Sequence, residues 1–229
     1  MRSKKVLYGV GVLFAMAVIG LKFGVQYVAQ GVSSQSTPAG VQTADAPQKD
    51  TSSCEGSLAA STTAGPYYVT NTKLLQNGEL NYDHLPGEAI RIFGYVYHGK
   101  GSTAPLAKAY VDVWQADAQG SYWPAGNKDA AVYTDAELSL RGGIFSNDDG
   151  YYEFTTIYPG EYEGRARHIH FHVIAPGGQE DVTTQLILTK EGDHTPASAD
   201  RLAATLPPCN IAHFTLQNGM PAARFDLHL

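Results

Sequence analysis

From residue 89 onwards the chain consists of short runs in which apolar and polar residues alternate. Such alternation places successive side chains on opposite faces of a β-strand. Turn residues such as Asp148-Asp149-Gly150 and Pro176-Gly177-Gly178 separate the runs. The runs predict strands over residues 89–97, 109–114, 151–155, 167–174, 184–189 and 223–229. A helix is predicted only around residues 199–205. Short strands at this spacing favour an all-β fold, an antiparallel β-sandwich with long loops and little helix.

The N-terminal residues have a different pattern. Three cations among the first five residues precede an apolar run over residues 6–21. The run is short for a membrane-spanning helix, which needs about 20 residues, and it suits the apolar part of an export signal. No clear cleavage site follows. Residues 1–30 are therefore predicted to be either a cleaved signal peptide or an anchor that holds the protein to the membrane through residues 6–28. The protein is predicted to be extracytoplasmic, that is, periplasmic, secreted or anchored to the membrane surface.

Residues 31–53 are rich in Ser, Thr, Gln, Ala and Pro without periodicity, which is typical of a flexible linker. The folded domain is predicted to span residues 54–229. The chain has two cysteines, Cys54 and Cys209, which lie at opposite ends of that domain. In an oxidising compartment they are predicted to form one disulfide, and two free thiols are the alternative. The net charge of −6, without a basic stripe, argues against a nucleic-acid partner.

The segment around residue 170 carries the candidate chemistry. His168 and His170 lie two apart in a predicted strand and so share one face, whereas Ile169 and Phe171 point into the core. Two imidazoles on one strand face can hold a metal ion. A solvated polar stripe has the same pattern, and His172 extends it. His172 is predicted to lie outside the ligand set, either as support for the site or exposed.

Two tyrosines are further candidates for the site, one beside the histidine strand and one at the end of another strand. Tyr122 follows the second predicted strand, and Tyr162 lies just before the histidine strand. Loops and strand ends are where sites are usually assembled. For any single tyrosine among fourteen, packing at the surface or at the rim of the core is the simpler interpretation.

Several longer motifs occur in a fixed order. They are Thr63-Ala64-Gly65-Pro66-Tyr67-Tyr68, Trp114-Gln115-Ala116-Asp117 with Gly120-x-Tyr122, Asp148-Asp149-Gly150-Tyr151-Tyr152-x-Phe154-x-Thr156-Ile157-x-Pro159-Gly160-x-Tyr162, Arg165-x-x-His168-Ile169-His170-Phe171 and Thr184-Gln185-Leu186. Together they resemble the intradiol ring-cleavage dioxygenases, notably the protocatechuate 3,4-dioxygenase type. The resemblance covers about residues 60 to 190. Each motif is weak alone, whereas the ordered combination is specific.

The resemblance implies a mononuclear non-haem Fe(III) site. Tyr122, Tyr162, His168 and His170 match the four ferric ligands, with Tyr122 and His168 equatorial and Tyr162 and His170 axial. Phenolates are hard anionic donors that favour Fe(III), and imidazole suits iron. A bound cation also explains how a tyrosine would ionise far below its normal pKa.

The resemblance also implies the reaction. A small aromatic diol of the catechol type and O2 would be the substrates, and the ring would be cleaved between its two hydroxyl-bearing carbons to a cis,cis-muconate-type product. Tyr162, displaced by the substrate, would accept a proton. Arg165 matches the active-site arginine that stabilises developing negative charge, and Gln185 matches a glutamine that supports the site by hydrogen bonding. Arg167 has no counterpart and is interpreted as a strand-face charge.

The sequence departs from the protocatechuate enzymes around Tyr162. The segment from Tyr162 to His168 is shorter, and Glu163-Gly164 replaces the aromatic residue that follows the axial tyrosine. The identity of the catechol is therefore not carried over. No long helical segment is predicted before the domain, which argues against the catechol 1,2-dioxygenase type.

Two other classes of protein remain alternatives at this point. One is a zinc or copper enzyme that uses the His-x-His pair with His172 or His194 as third ligand. The other is a non-catalytic surface-binding module whose tyrosines and histidines form a binding face.

Overall fold

A computed structural model describes residues 57–123 and 128–229. The predicted signal or anchor, the linker and Cys54 lie outside the described residues, so these predictions remain predictions. Cys209 is not a free thiol, but its pairing with Cys54 stays a prediction for the same reason. No helix within the described ranges is long and apolar enough to cross a membrane.

Two β-sheets face each other and form a sandwich. Within the described ranges the strands are β1 (Ala89–Tyr97), β2 (Tyr110–Gln115), β3 (Arg141–Phe145), β4 (Tyr151–Ile157), β5 (His168–Ile174), β6 (Asp181–Ile187), β7 (Phe214–Gln217), β8 (Met220–Arg224) and β9 (Leu227–His228). One sheet has the order β4-β1-β8-β7, with β9 also paired to β1, and the other has the order β3-β2-β5-β6. The described helices are short 3-10 turns at Ala130–Val132, Asp135–Leu138, Ala203–Thr205 and Pro208–Asn210. The predicted all-β sandwich is confirmed.

The predicted strands and helix agree with the structure apart from three differences. The run over residues 223–229 contains parts of two strands, β8 and β9, and both lie parallel to β1 although the other pairings are antiparallel. Alternation along a strand carries no information on the direction of its partner. β3 and β7 are not among the predicted strands. The helix predicted around residues 199–205 is only the 3-10 turn at Ala203–Thr205.

β3 escapes prediction because glycines occupy its centre, where a strand pattern normally has side chains. A Cβ at Gly142 would lie 2.3 Å from the Leu75 side chain, and one at Gly143 would lie 2.2 Å from the Tyr110 hydroxyl. The two glycines thus make room for neighbouring side chains that cover this edge strand. That requirement comes from tertiary packing and leaves no periodic signal in the sequence.

The core fills the space between the two sheets. Ile169 and Phe171 of β5 are fully buried there, as predicted, and they share one cluster with Ile90 and Ile92 of β1. Burial of each such side chain stabilises the fold by about 1.5–3 kcal/mol. β5 is therefore held firmly on its apolar face, which leaves its other face for polar groups.

Gln115 links the two sheets at the ends from which the site loops leave. Its amide Nε2 donates to the Ile157 carbonyl (2.9 Å), and the Thr156 hydroxyl donates to its Oε1 (3.0 Å). Gln115 ends β2 in one sheet, and Ile157 ends β4 in the other. This buried amide keeps the exits of β2 and β4 close together, and Tyr122 and Tyr162 follow those exits.

A buried carboxylate fastens the N-terminal part of the domain to the sheet. Asp112 is 2% exposed, and its oxygens accept hydrogen bonds from the Tyr68 hydroxyl (3.1 Å) and the Thr72 hydroxyl (3.0 Å). Burial raises the pKa of Asp112 to about 6, although both hydrogen bonds favour the ionised form. The segment that contains Tyr67 is thus held in place by a carboxylate that is costly to ionise.

We expect this cost to appear in the pH dependence of stability. A carboxyl whose pKa is higher in the folded state destabilises the fold once it ionises, and the cost grows as pH rises from about 4 to about 6 and is constant above. The free energy of unfolding of the wild type should therefore fall relative to that of Asp112→Asn by about 2 kcal/mol between pH 4 and pH 7. Urea unfolding of both proteins at several pH values measures this difference, with Asp148→Asn in an exposed turn as the control. If the free energy of unfolding of the wild type instead rose relative to that of Asp112→Asn as pH increased, the raised pKa of Asp112 would be contradicted.

Candidate metal centre

The histidine pair of β5 is buried and convergent. His168 and His170 are 3% and 5% exposed, and their Nε2 atoms lie 3.1 Å apart. Burial lowers the pKa of His168 to about 4 and that of His170 well below its ordinary value, so both rings are neutral near pH 7. Two imidazole nitrogens at this separation suit two ligands that each lie about 2.0–2.1 Å from one metal ion. The interpretation as a solvated polar stripe does not describe this pair.

Each imidazole is oriented by a contact on its other side. The Nδ1 of His168 is 2.6 Å from the Ala166 carbonyl oxygen. A carbonyl only accepts, so Nδ1 carries the proton and Nε2 offers its lone pair to the site. The ring of His170 stacks on Trp114 with centroids 4.7 Å apart and planes 7° from parallel. Both rings therefore present Nε2 to the same place.

Tyr122 reaches the histidine pair from the loop after β2. Its hydroxyl oxygen is 3.3 Å from His168 Nε2. Asp117 shapes the loop, since its Oδ1 accepts from the N–H groups of Gln119 and Ser121, both at 2.9 Å. Burial raises the pKa of the Tyr122 phenol, against a lowering influence of nearby arginines. A phenolate at this position needs a bound cation beside it.

Tyr162 enters from the loop before β5. The Arg165 N–H donates to the Tyr162 carbonyl (2.7 Å), and Glu163 and Gly164 between them have φ of 42° and 74°. Two positive φ values in succession are what a type I′ turn requires. The ring of Tyr162 stands 5.2 Å from that of Tyr122 at 88°. This tight turn brings the predicted fourth ligand and the predicted arginine to the same site.

Tyr67 is a site residue to which the sequence analysis assigned no role. The Tyr162 hydroxyl donates to the Tyr67 hydroxyl (3.0 Å), and the Tyr67 ring lies parallel to the Tyr122 ring at 4.6 Å. Its backbone carbonyl accepts from Arg141, a buried arginine that was also overlooked. The motif over residues 63–68 contained the signal for Tyr67. No sequence signal pointed to Arg141, because it begins β3, a strand that the sequence pattern does not predict.

Two glycines allow the Tyr122 and Tyr162 loops to touch. A Cβ at Gly160 would lie 2.2 Å from the Gly120 nitrogen, and one at Gly120 would lie 1.9 Å from the Glu161 carbonyl oxygen. The Gly160 N–H also donates to the Asp117 carbonyl (2.7 Å). The backbones approach so closely that no side chain fits between them. This contact sets the spacing of the two tyrosines.

The predicted arginine and glutamine lie beside the histidines and contact each other. Arg165 donates from Nη2 to Gln185 Oε1 (2.8 Å) and from Nε to the carboxylate of Asp200 (2.7 Å). Gln185 is fully buried on β6, directly opposite His170 of β5. Asp200 was overlooked because its segment has no strand pattern.

Other candidate residues lie elsewhere. His172 contacts the Tyr68 hydroxyl (3.1 Å) and the Asp181 carboxylate (2.9 Å), so it supports the N-terminal segment. Arg167 is not a simple strand-face charge: it binds Asp193 (2.6 Å) and the Pro159 carbonyl (2.7 Å) and ties two loops together. In the described ranges no three His, Cys, Asp or Glu side chains are grouped to hold a metal. The zinc or copper set with a third histidine is therefore not formed there.

The structure thus brings two neutral imidazoles and two phenols together, with an arginine and a glutamine beside them. This donor set, without carboxylate or thiolate, fits a hard, highly charged transition-metal cation better than it fits zinc. The ligand roles themselves remain predictions. Fold and side-chain set define a class, that of β-sandwich proteins in which two histidines and two tyrosines converge on one candidate site.

Comparison with known proteins identifies the family within this class. The sequence model of the family described as Dioxygenase matches residues 63–228. Relatives are named as hydroxyquinol 1,2-, catechol 1,2- and protocatechuate 3,4-dioxygenases, and the chain belongs to the intradiol ring-cleavage dioxygenase family.

Individual relatives carry several substrate names. A hydroxyquinol 1,2-dioxygenase of Nocardioides simplex is 29% identical over 156 residues, which are 60% of this chain and 49% of that protein. The protocatechuate 3,4-dioxygenase alpha chain of Pseudomonas putida is 29% identical over 146 residues, 57% of this chain and 69% of that protein. The chain spans about half the length of the hydroxyquinol enzyme.

Among solved structures, the dioxygenase domain of a dioxygenase carbohydrate-binding protein fusion from Streptomyces sp. SirexAA-E superposes with a TM-score of 0.60. The sequence identity is 28%, and the match covers 75% of this chain and 97% of that one. The similarity extends over nearly the whole of that domain.

We expect Gly160→Ala to loosen the site more than the fold. The added methyl group would meet backbone atoms of the Tyr122 loop and push the two tyrosines apart. Overpacking of this kind lowers the free energy of unfolding by about 1–3 kcal/mol. Thermal unfolding of the metal-free protein and iron affinity by chelator competition measure the two effects. Gly87→Ala is the matched control, because its methyl group would meet the Ile157 side chain instead. If both variants lost iron affinity equally, the contact between the two loops would not be the reason why Gly160→Ala binds iron more weakly.

Proposed function

We propose that the protein is a non-haem Fe(III) dioxygenase that cleaves a catechol-type ring between its two hydroxyl-bearing carbons. Both atoms of O2 enter the product, a cis,cis-muconate-type diacid. The observation that carries the proposal is the clustering of three potential metal-ligand atoms. Tyr122 Oη lies 3.3 Å from His168 Nε2, which lies 3.1 Å from His170 Nε2. Membership of the intradiol family supports it.

The proposed ligands are Tyr122, Tyr162, His168 and His170. When bound, the ferric ion would supply a positive centre that chelates both substrate oxygens and makes the electron-rich ring reactive toward O2. The protein prepares neutral imidazoles by burying them, and it holds the phenols where burial opposes ionisation until a cation is present. The site would therefore favour a cation whose charge offsets the cost of phenolate formation.

Tyr162 is the donor best placed to move a proton. Its hydroxyl is bound to Tyr67 and makes no hydrogen bond to the histidine pair within the described residues. As the phenolate of the metal-loaded site, Tyr162 would accept a substrate hydroxyl proton when the substrate enters, and the phenol so formed could donate to the Tyr67 hydroxyl as it does in the structure. Tyr67 would thereby provide a polar partner for Tyr162 away from the histidines.

Arg165 stabilises negative charge on the bound diol. Its guanidinium lies beside Gln185, which faces His170, and its side chain is 26% exposed. A fixed cation at the point where charge develops lowers the barrier because it needs no reorganisation during the reaction. Gln185 holds the guanidinium in plane through its Oε1.

The substrate class follows from the family. Relatives are named for hydroxyquinol, catechol and protocatechuate, so the substrate proposed for this chain is a single-ring aromatic diol. The chain is also proposed to act outside the cytoplasm, on the basis of the charged and apolar pattern over residues 1–30. Cell fractionation tests that location, and recovery of the mature protein in the cytosol would exclude it.

The visible spectrum tests the function. We expect the purified protein, loaded with iron, to show a tyrosinate-to-iron charge-transfer band that shifts when catechol is added without oxygen. Tyr122→Phe should weaken this band and lower turnover at least about 100-fold, since a ligand is lost. Tyr158→Phe is the control, because its hydroxyl only donates to the Thr189 carbonyl.

Other results would favour other classes. A colourless protein with stoichiometric zinc or copper and activity that survives Tyr122→Phe would point to a different metalloenzyme. A protein that takes up no metal even after reconstitution with iron would be better described as a binding module.

A further inference from the structure

Asp200 is a buried carboxylate beside the site that the proposed reaction does not use directly. Its side chain is 0% exposed. One oxygen accepts from Arg165 Nε (2.7 Å) and the Ala166 N–H (2.8 Å), and the other accepts from the N–H groups of Leu202 (2.8 Å) and Ala203 (3.1 Å). Four donors thus converge on one carboxylate from two segments of the chain.

This arrangement favours the ionised form of the carboxylate. Burial alone disfavours the charge, but the backbone N–H groups and Arg165 outweigh it and hold the pKa of Asp200 below its ordinary value. A buried ion pair is weak evidence for a role in stability, because apolar residues of similar volume often serve the fold equally well. The position of this pair at the site suggests a different role.

One connection runs from Asp200 to the substrate side of Arg165. Asp200 holds Nε, and Gln185 accepts from Nη2 at 2.8 Å. Hydrogen bonds at these two nitrogens restrain the plane of the guanidinium and leave Nη1 as the nitrogen that would face a bound substrate. A lysine could supply the charge but not this fixed plane.

A second connection runs from Asp200 to His168. Asp200 accepts from the Ala166 N–H, and the Ala166 carbonyl accepts from His168 Nδ1 at 2.6 Å. The Ala166 backbone is buried between them. Fixing this backbone fixes the acceptor that sets the tautomer and the ring orientation of His168.

We propose that Asp200 is a positioning residue of the site, which holds Arg165 and the Ala166 backbone together and so presents Arg165 Nη1 to the substrate and His168 Nε2 to the metal. The proposal rests on the proposed function for its activity readout. Its metal-binding readout needs only metal-free protein and iron.

The chain offers a matched control in a neighbouring ion pair. Arg167 Nε donates to Asp193 at 2.6 Å, and the Asp193 side chain is 8% exposed. Arg167 also donates to the Pro159 carbonyl and makes no hydrogen bond to Gln185. Asp193→Asn therefore removes a buried aspartate from an arginine of the same region without touching the two connections described above.

The experiment compares Asp200→Asn with Asp193→Asn. The NH2 group of an asparagine at position 200 must face either Arg165 Nε and the Ala166 N–H, which breaks both connections, or the Leu202 and Ala203 N–H groups, which releases residue 200 from its own backbone anchor. In either orientation the negative charge that holds Arg165 is lost. We expect Asp200→Asn to lower kcat/KM by about 10- to 100-fold, mainly in kcat, and to weaken iron affinity of the metal-free protein by a factor within the same range. Asp193→Asn should change both by less than about 3-fold. Near-UV circular dichroism and thermal unfolding report whether each variant folds.

A double variant separates positioning from general destabilisation. If Asp200 acts through Arg165, adding Asp200→Asn to Arg165→Met should cost little further kcat. Full additivity, or equal losses in Asp193→Asn and Asp200→Asn, would overturn the proposal.

A charge-conserving variant covers the case in which Asp200→Asn does not fold. Arg165→Lys keeps the cation beside Asp200 but cannot be held at two nitrogens, and we expect at least about a 10-fold loss of kcat with an unchanged charge-transfer band. Wild-type activity of Arg165→Lys would overturn the proposal. Wild-type protein that binds no iron and turns over no catechol would instead refute the proposed function.

Discussion

The alternation of side chains along β5 is the constraint on which the rest of the site depends. Ile169 and Phe171 are fully buried between the sheets, and this burial fixes the rotation of the strand. His168 and His170 must then emerge together on the opposite face, with Nε2 atoms 3.1 Å apart. A shift of register by one residue would place the histidines in the apolar core. The hydrophobic energy of the sandwich therefore also determines the geometry of the histidine pair in the candidate metal centre.

The second half of the donor set comes from loops, and the loops are held by polar groups. Gln115 joins the ends of β2 and β4, and the contact of Gly120 with Gly160 sets the distance between the loops that leave those ends. Asp112 fastens the segment that carries Tyr67. Each of these groups is buried or makes backbone contact, so its hydrogen bonds have few alternatives. Tyr122 and Tyr162 can thus be placed accurately although neither lies in a strand.

Burial also sets the electrostatics of the centre. It keeps both imidazoles neutral and opposes ionisation of the Tyr122 phenol. Both effects favour uncharged side chains, and the proposed ferric ion would offset the cost of forming the phenolates. Arg165 adds a fixed positive charge whose partner, Asp200, is itself held by backbone N–H groups. Arg165 and Asp200 therefore compensate each other's charge beside the site.

The sequence by itself determined the parts of this protein that follow from short-range pattern. Alternation predicted the sandwich and placed Ile169 and Phe171 in the core, and the ordered motifs brought Tyr122, Tyr162 and the histidine pair into one hypothesis. Tertiary structure alone decided the strand β3, the parallel pairing of β8 with β1, and the roles of Tyr67 and Asp200. The physical reason is that these features depend on contacts between segments distant in the chain. A glycine that admits a neighbour, or an aspartate that meets four N–H groups from two segments, has no periodic signature in the sequence.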